Sequence, residues 1–237
     1  MQIETKDSGL QESLWVLIPA LNEEAAVGRV VTEVKKILPN VLVVNDGSTD
    51  ATADRARDAG AVVLEHAVCR GKGASLQTGL HFLEKKGCEA VITMDGDGQH
   101  LVSDIPSFLS AYKRRRDIGI WVGKRKIKGT EMPFIRRATN LSMSFLLSLL
   151  AIQYIPDTQN GFRCIRLSAV KGMRYVSSHF ETESEILLRA SWRGVRIGAV
   201  CITTVYSDEK SKIRPSADTS RFFKMLIRLL FFACKKR

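Results

Sequence analysis

Between Leu14 and Val122 the chain alternates short β-rich runs with longer helical ones, and every β-rich run ends in a polar motif. The runs are "LWVLI", "NVLVV", "AVVLE", "AVITM" and "IGIWV"; the motifs after them are "PALNEE", "NDGSTD", "RGKGAS", "DGDGQH" and "GKRK". Helical stretches begin near Glu23, Asp50, Gly73 and Ser103, the last with Pro106 in its first turn behind a Ser103 or Asp104 cap. Such alternation implies βαβ units and a mainly parallel sheet. Open α/β sheets bind ligands beyond the carboxyl ends of their strands. Five polar motifs along that one edge outline a nucleotide site.

The second half has a different texture. A long apolar helix over Arg136 to Ile152 leads into the loop "PDTQNGFRC". A helix from about Thr182 to Trp192, the β-rich "VRIGAVCITTVYS", the polar loop "DEKSKIRPSADTS" and a last helix come next. No internal repeat appears. We divide the chain into a loose leader (1–12), a catalytic domain (13–215) and a C-terminal amphipathic basic helix (216–237). Within the domain a nucleotide half covers about 13–126 and an acceptor half about 127–215. The 237 residues, 45% hydrophobic, suit one α/β domain.

Five cysteines without CxxC spacing read as reduced thiols of a cytoplasmic protein. The polar N-terminus is unlike a signal peptide. "FLLSLLAI" and "MLIRLLFFAC" reach about half of the roughly 20 residues a bilayer span requires. A net charge of +11 admits nucleic acid, anionic lipid or phosphorylated substrates. The Arg-rich "YKRRRD" and "GKRKIKG" lack interleaved aromatics, which argues against nucleic acid as a partner.

The run "AVITMDGDGQH" carries the most specific chemistry. Residues two apart on a strand project to the same side, so Asp95 and Asp97 can converge on one cation. Gly96 and Gly98 allow close backbone approach. Hard oxygen ligands suit Mg²⁺ or Mn²⁺ beside a diphosphate, with Gln99 as a further neutral donor and His100 as a weaker candidate. The alternative is a solvated acidic turn; a calcium loop would need a terminal glutamate that is missing here. In "VVNDGSTD", Asp46 is placed to accept hydrogen bonds from a nucleobase, while Asp50 caps the next helix. "RGKGAS" lacks the full phosphate-loop spacing, though Lys72 remains a candidate for ligand phosphate or base.

In order, "IPALNEE", "VVNDGSTD", "GKGASLQTG", "MDGDGQH", "DTQNGFR", "FETES" and "SKIRP" resemble the family 2 glycosyltransferases with the A-type fold. The resemblance is narrower still to the dolichol-phosphate mannose synthase branch and its bacterial polyprenyl-phosphate relatives, over about Leu14 to Phe223. It implies a Rossmann-like glycosyltransferase A fold, a mainly parallel central sheet flanked by helices. It implies a UDP- or GDP-linked sugar as donor, with Pro19, Ala20, Leu21, Glu23 and Asp46 lining the nucleotide pocket. Asp95, Gly96 and Asp97 would meet the donor diphosphate, Asp95, Asp97 and Gln99 would hold the metal, and Lys72 and Arg125 would lie near the transferred sugar. Asn45 stands where many relatives carry a second aspartate.

That resemblance also implies an inverting, metal-dependent transfer of a hexose to a polyprenyl phosphate. An acceptor phosphate is already ionised and needs no general base; Arg136, Arg137, Arg163 and Lys212 are the candidates to hold it. Relatives that glycosylate hydroxyl groups do need a base, for which "FETESEIL" offers Glu181, Glu183 and Glu185. Thr182 and Glu185 also read as a capping box. A hydroxyl-acceptor enzyme and a non-catalytic sugar-nucleotide-binding scaffold stay open as alternatives; a sugar nucleotidyltransferase lacks its glycine- and arginine-rich loop here. On the last helix Arg221, Lys224, Arg228 and Lys235 form one stripe against a wide apolar face. That pattern fits either a helix at an anionic membrane surface or one packed on the sheet. The expected location is peripheral, at the cytoplasmic face of a membrane, with a membrane protein as a further partner left open.

Overall fold

The computed structural model describes residues 12–125, 134–203 and 215–234, and within these the side chains of 134–138, 215–218 and 232–234 are outside the description. The leader, the candidate Lys212 and Lys235 therefore lie outside the described residues, as do the side chains of Arg136 and Arg137.

The strands are β1 (Leu14–Ala20), β2 (Val41–Asn45), β3 (Val62–Glu65), β4 (Ala90–Thr93), β5 (Ile118–Arg125), β6 (Arg163–Arg166) and β7 (Arg196–Ile202). The helices are α1 (Val27–Lys35), α2 (Thr52–Asp58), α3 (Lys72–Lys85), α4 (Ile105–Arg114), α5 (Phe134–Ala151), α6 (Leu167–Val170), α7 (Glu181–Trp192) and α8 (Pro215–Cys234). One sheet runs in the order β3-β2-β1-β4-β6-β5-β7. The pairs β1/β2, β1/β4, β2/β3 and β5/β7 are parallel, whereas β6 lies antiparallel to both β4 and β5. Each strand read from the sequence is present. β6 is an addition: "RCIR" sits inside what reads as loop, because four residues with arginine at both ends show no strand pattern. β5 also outruns its expected end, since Gly123, Lys124 and Arg125 pair with Val200, Cys201 and Ile202 of β7.

Both faces of the sheet are covered, so β1 is buried along its full length. Val16, Ile18 and Ala20 join the core built with α1 and α4; Trp15 and Leu17 join the one built with α3, α5, α7 and α8. This is the period-two alternation of a strand. The last helix answers the question its pattern raised. Phe222, Met225, Leu226 and Leu229 are buried against the core, a contribution of about 1.5–3 kcal/mol per side chain. Phe223, Ile227, Leu230 and Phe231 stay exposed on the same helix, as do Lys224 and Arg228. Helix α5 exposes Leu141, Phe145 and Leu149, with Phe145 at 73%. Among the described residues no helix is long and apolar enough to cross a membrane.

The seating of α3 depends on Gly79, where a Cβ would meet Leu17 Cδ1 at 2.3 Å. Gly79→Ala should lower stability by about 1–3 kcal/mol by overpacking, despite a better helix former. Adding Leu17→Ala should recover part of that loss. Urea titration of the double-mutant cycle measures the coupling, and strictly additive effects would refute this packing account.

Candidate active site

The chain runs outward from β1 to β2 and β3, then returns to place β4 on the other side of β1. That reversal leaves a crevice beyond the carboxyl ends of β1 and β4. "NEE" and "NDGSTD" close one wall together. The Asn22 N–H donates to Ser48 Oγ (2.9 Å), and the Thr49 N–H to Asn22 Oδ1 (2.9 Å). Glu23 N–H reaches Thr52 Oγ1 at 2.7 Å, and Ala51 N–H reaches Glu24 Oε2 at 3.0 Å. Asn22 sits at φ 51°, a conformation asparagine tolerates better than most residues. Asp50 accepts from Thr52 N–H (3.0 Å) and from Glu24 N–H (3.2 Å), so it caps α2 and also ties the loops.

Pro19 lies level with Val44 of β2, beyond the end of β4, where its missing N–H leaves no ladder bond unmade. Ala20 and Glu23 flank the aspartate turn: a Cβ on Gly96 would touch Ala20 Cβ at 3.5 Å and Glu23 Cγ at 3.6 Å. Leu21 is half-buried between them.

At the centre stands Lys72, the first residue of α3. Its Nζ lies 2.6 Å from Asp95 Oδ1 and 3.0 Å from Glu183 Oε1. Burial alone would lower its pKa, but the two carboxylates outweigh that and raise it above the ordinary lysine range. Asp95 mirrors this: burial pushes upward, and Lys72 together with His100 and Arg163 holds its pKa below the ordinary carboxylate value. Gly161 lets the three groups meet, because a Cβ there would stand 2.8 Å from Glu183 Oε1 and 2.9 Å from Lys72 Nζ. Gly73 does the same for the backbones, since its Cβ would strike Thr182 Oγ1 of α7 at 2.0 Å.

Asp97 is pushed in the opposite direction, first by burial and then by the negative charge of Asp95. A carboxylate whose proton affinity is raised by a neighbouring carboxylate is a setting that a divalent cation relieves. Among the described residues no group of three or more His, Cys, Asp and Glu gathers as a metal site. A pair of hard oxygen donors, with other positions left to water and phosphate, fits Mg²⁺ or Mn²⁺. Gln99 donates its backbone N–H to Asp97 Oδ1 at 2.9 Å. His100 Nδ1 accepts the Asp95 N–H at 3.0 Å, and its ring stacks on Phe162 with centroids 5.0 Å apart. That nitrogen is thereby taken, and His100 shapes the turn.

The family-model match decides what surrounds this crevice: residues 15–173 fit the model described as glycosyl transferase family 2. The chain belongs to glycosyl transferase family 2. This family 2 glycosyltransferase is 29% identical to the UDP-N-acetylglucosamine–dolichyl-phosphate N-acetylglucosaminyltransferase of Methanococcus voltae, over 94% of this chain and 97% of that one. It is 28% identical to the dolichyl-phosphate hexose transferase of Haloferax volcanii, over 92% and 94% of the two chains. Its fold matches the crystal structure of glucosyl-3-phosphoglycerate synthase from Mycobacterium tuberculosis with a TM-score of 0.74, at 20% identity over 93% of this chain and 83% of the synthase.

Several expected roles change. Asp46, expected at a nucleobase, is 2% exposed, and its carboxylate accepts from the His66 ring, Arg70 N–H, Gly71 N–H and the Cys69 thiol. Burial works against its charge, yet these hydrogen bonds hold its pKa below the usual carboxylate range. Arg163 is likewise unsuited to an acceptor phosphate. Its guanidinium is buried and donates to the carbonyls of Asn160 (2.8 Å), Glu183 (2.6 Å) and Thr158 (2.9 Å). Arg125 is half-buried in a two-pronged pair with Asp157, both contacts at 2.8 Å. Glu185 forms no capping box with Thr182; it is fully buried and accepts from Val176 N–H, Ser177 N–H and Arg189 Nε. Asp157 and Gly161 escaped the sequence reading, although "DTQNGFR" already marked their segment, and His66, which has no ligand-like spacing, reads from the sequence as an ordinary surface or packing residue.

Arg163→Met should destabilise the fold by about 3–5 kcal/mol, since it strands three carbonyls and leaves nearby acidic charge uncompensated. Chemical denaturation measures this. A near-neutral result would return Arg163 to the ligand-facing cations.

Proposed function

We propose that this glycosyltransferase moves a hexose from a UDP- or GDP-linked donor to a polyprenyl phosphate, with inversion at the anomeric carbon. The observation that carries the reading is the state of Glu183. It is 5% exposed and ion-paired to Lys72, so its carboxylate is engaged in positioning that ammonium. Glu185 is committed in the same way. An acceptor that arrives already ionised needs neither. Two of the relatives matched over more than nine-tenths of their length carry dolichyl-phosphate transferase names, which supports the same acceptor class.

In this mechanism a phosphate oxygen of the lipid attacks the anomeric carbon from the side opposite the nucleotide. The C–O bond to the diphosphate breaks, and the nucleoside diphosphate leaves with the bonding electrons. A cation held by Asp95 and Asp97, with Gln99 as a further oxygen donor, would neutralise charge on that leaving group. Lys72 places a fixed positive charge beside the same position, preorganised by its two carboxylates. Pro19, Ala20, Leu21 and Glu23 line the nucleotide side, and Arg125, braced by Asp157, borders the sugar. Arg136, Arg137 and Lys212 are proposed to hold the acceptor phosphate.

The lipid acceptor asks for a membrane surface. The exposed Phe223, Ile227, Leu230 and Phe231 of α8, with Lys224 and Arg228 beside them, suit an interface with anionic headgroups at the cytoplasmic face. The enzyme should sediment with vesicles containing anionic lipid, and Ile227→Asp with Phe231→Asp should release most of it while leaving the thermal midpoint near wild type. Unchanged sedimentation would remove α8 from this role.

A second reading has one observation in its favour. Glu181 Oε2 is buried without a hydrogen-bond partner among the described residues, so a hydroxyl acceptor could complete it. A transfer assay separates the two, using labelled UDP- and GDP-sugars, Mg²⁺ or Mn²⁺, and polyprenyl phosphate. Label should enter the lipid phase and be lost with EDTA, and Asp97→Ala should lower kcat by at least ~10²-fold. Metal-dependent donor hydrolysis without lipid labelling, abolished by Glu181→Gln, would instead favour the hydroxyl acceptor.

A further inference from the structure

Lys72 owes its place to the turn just before it, and that turn is held from behind. The buried carboxylate of Asp46, at the end of β2, is met from both sides. His66 Nδ1 is 2.7 Å and Arg70 N 3.0 Å from Oδ1; Gly71 N is 2.7 Å and Cys69 Sγ 3.3 Å from Oδ2. A carboxylate only accepts, so the His66 Nδ1 carries the proton and donates it. The other ring nitrogen, Nε2, lies 2.9 Å from Thr78 Oγ1, on the second turn of α3. The His66 backbone N–H is tied to Asn45 O at 2.9 Å, so the ring has little freedom.

The surroundings leave the turn no slack. A Cβ on Gly47 would stand 2.7 Å from the Val68 carbonyl carbon and 2.8 Å from Cys69 N. Gly71 takes φ 96°, a conformation that favours glycine, and a Cβ there would meet Ser178 O at 2.6 Å. The next residue is Lys72. Its contacts of 2.6 and 3.0 Å tolerate a shift of only a few tenths of an ångström before they weaken.

We propose that His66 is a positioning residue for sugar transfer: it locks the Asp46 carboxylate, which fixes the turn at 69–71 and so aims the Lys72 ammonium at Asp95 and Glu183. The inference rests on the reading of this crevice as the sugar-nucleotide site. His66 touches none of the reacting groups. Without its ring Oδ1 keeps only the Arg70 N–H, and the carboxylate can rotate away from the turn. Asparagine, whose side-chain N–H can replace the Nδ1–H, should restore the lock.

Two measurements test this on the full chain. Amide hydrogen exchange reads the turn itself. In His66→Ala, Arg70 and Gly71 should exchange about tenfold faster while β1 and β4 are unchanged. Steady-state transfer reads the consequence: kcat should fall roughly 10–100-fold with acceptor KM unchanged. His66→Asn should recover both, and Thr78→Val should show a weaker version of each. A uniform rise in exchange with a lowered thermal midpoint, not rescued by asparagine, would make His66 a packing residue and overturn the proposal. So would unchanged exchange at Arg70 and Gly71, or unchanged kcat in a variant whose turn has loosened. If His66→Ala does not fold, the pair His66→Asn and Thr78→Val decides by the same readouts. A wild-type chain that transfers no sugar from any donor would instead sink the reading of the site, whatever the exchange data show.

Discussion

The ion pair that Lys72 makes with both Asp95 and Glu183 is the interaction on which the arrangement of this crevice depends. It joins the two halves of the chain. Asp95 lies just beyond the strand at the switch point, Lys72 begins the helix that crosses behind it, and Glu183 stands on the first turn of a helix more than 80 residues later in sequence. Placing one cation between two carboxylates in a part-buried crevice offsets much of the desolvation each charge would otherwise suffer. It also holds the ammonium at a fixed point. A lysine in water samples many rotamers, whereas here geometry is set before any ligand arrives, which is what electrostatic preorganisation requires.

Glycine makes this proximity available. At Gly161 the neighbouring atoms are the polar ends of Glu183, Lys72 and Asp95, and at Gly73 they are the Thr182 side chain and the His179 carbonyl, so even a methyl group would displace a member of the triad or the helix that carries it. Gly96, by contrast, has neighbours at ordinary contact distances of 3.4 to 3.6 Å. Close approach at the aspartate turn therefore comes from the path of the chain more than from a missing side chain. The glycine in "TQNGFR" is more constrained by its neighbours than the one between the two aspartates.

The nucleotide half was largely legible in the sequence because its strands are parallel and each hands its polar motif to the same edge. Asp95 and Asp97 lie just beyond the carboxyl end of β4, the Pro19–Glu23 segment spans the end of β1, and Lys72 begins the helix that follows β3, all at the edge where a parallel sheet presents its ligand contacts. That rule fails at β6. This strand runs antiparallel, so its amino end lies at the ligand edge, and Asp157 and Gly161 sit before it, where the rule does not look. Asp46 and Arg163 illustrate a second limit. Residue type and place on an edge indicated ligand contact for both, but their burial and hydrogen-bond partners turn them inward, and neither property is written in local pattern. His66 has no ligand-like spacing in the sequence, and spacing is a test that detects metal sites and is blind to a histidine that supports another side chain.

The last helix packs on the core with part of its apolar face and leaves the rest exposed. Its apolar face is too wide for one contact: Phe222, Met225, Leu226 and Leu229 fill the core, and Phe223, Ile227, Leu230 and Phe231 remain uncovered. α7 packs against both α5 and α8, so the uncovered residues of α8 and those of α5 belong to helices that share one neighbour. Anchoring through one face of a packed helix has a mechanical consequence that a free amphipathic tail lacks. Because α8 is seated on α7, and α7 carries Glu183, any surface that captures the outer face of α8 is linked by rigid packing to the carboxylate beside Lys72. A lipid phosphate would then meet a site whose orientation to the bilayer is set by the fold.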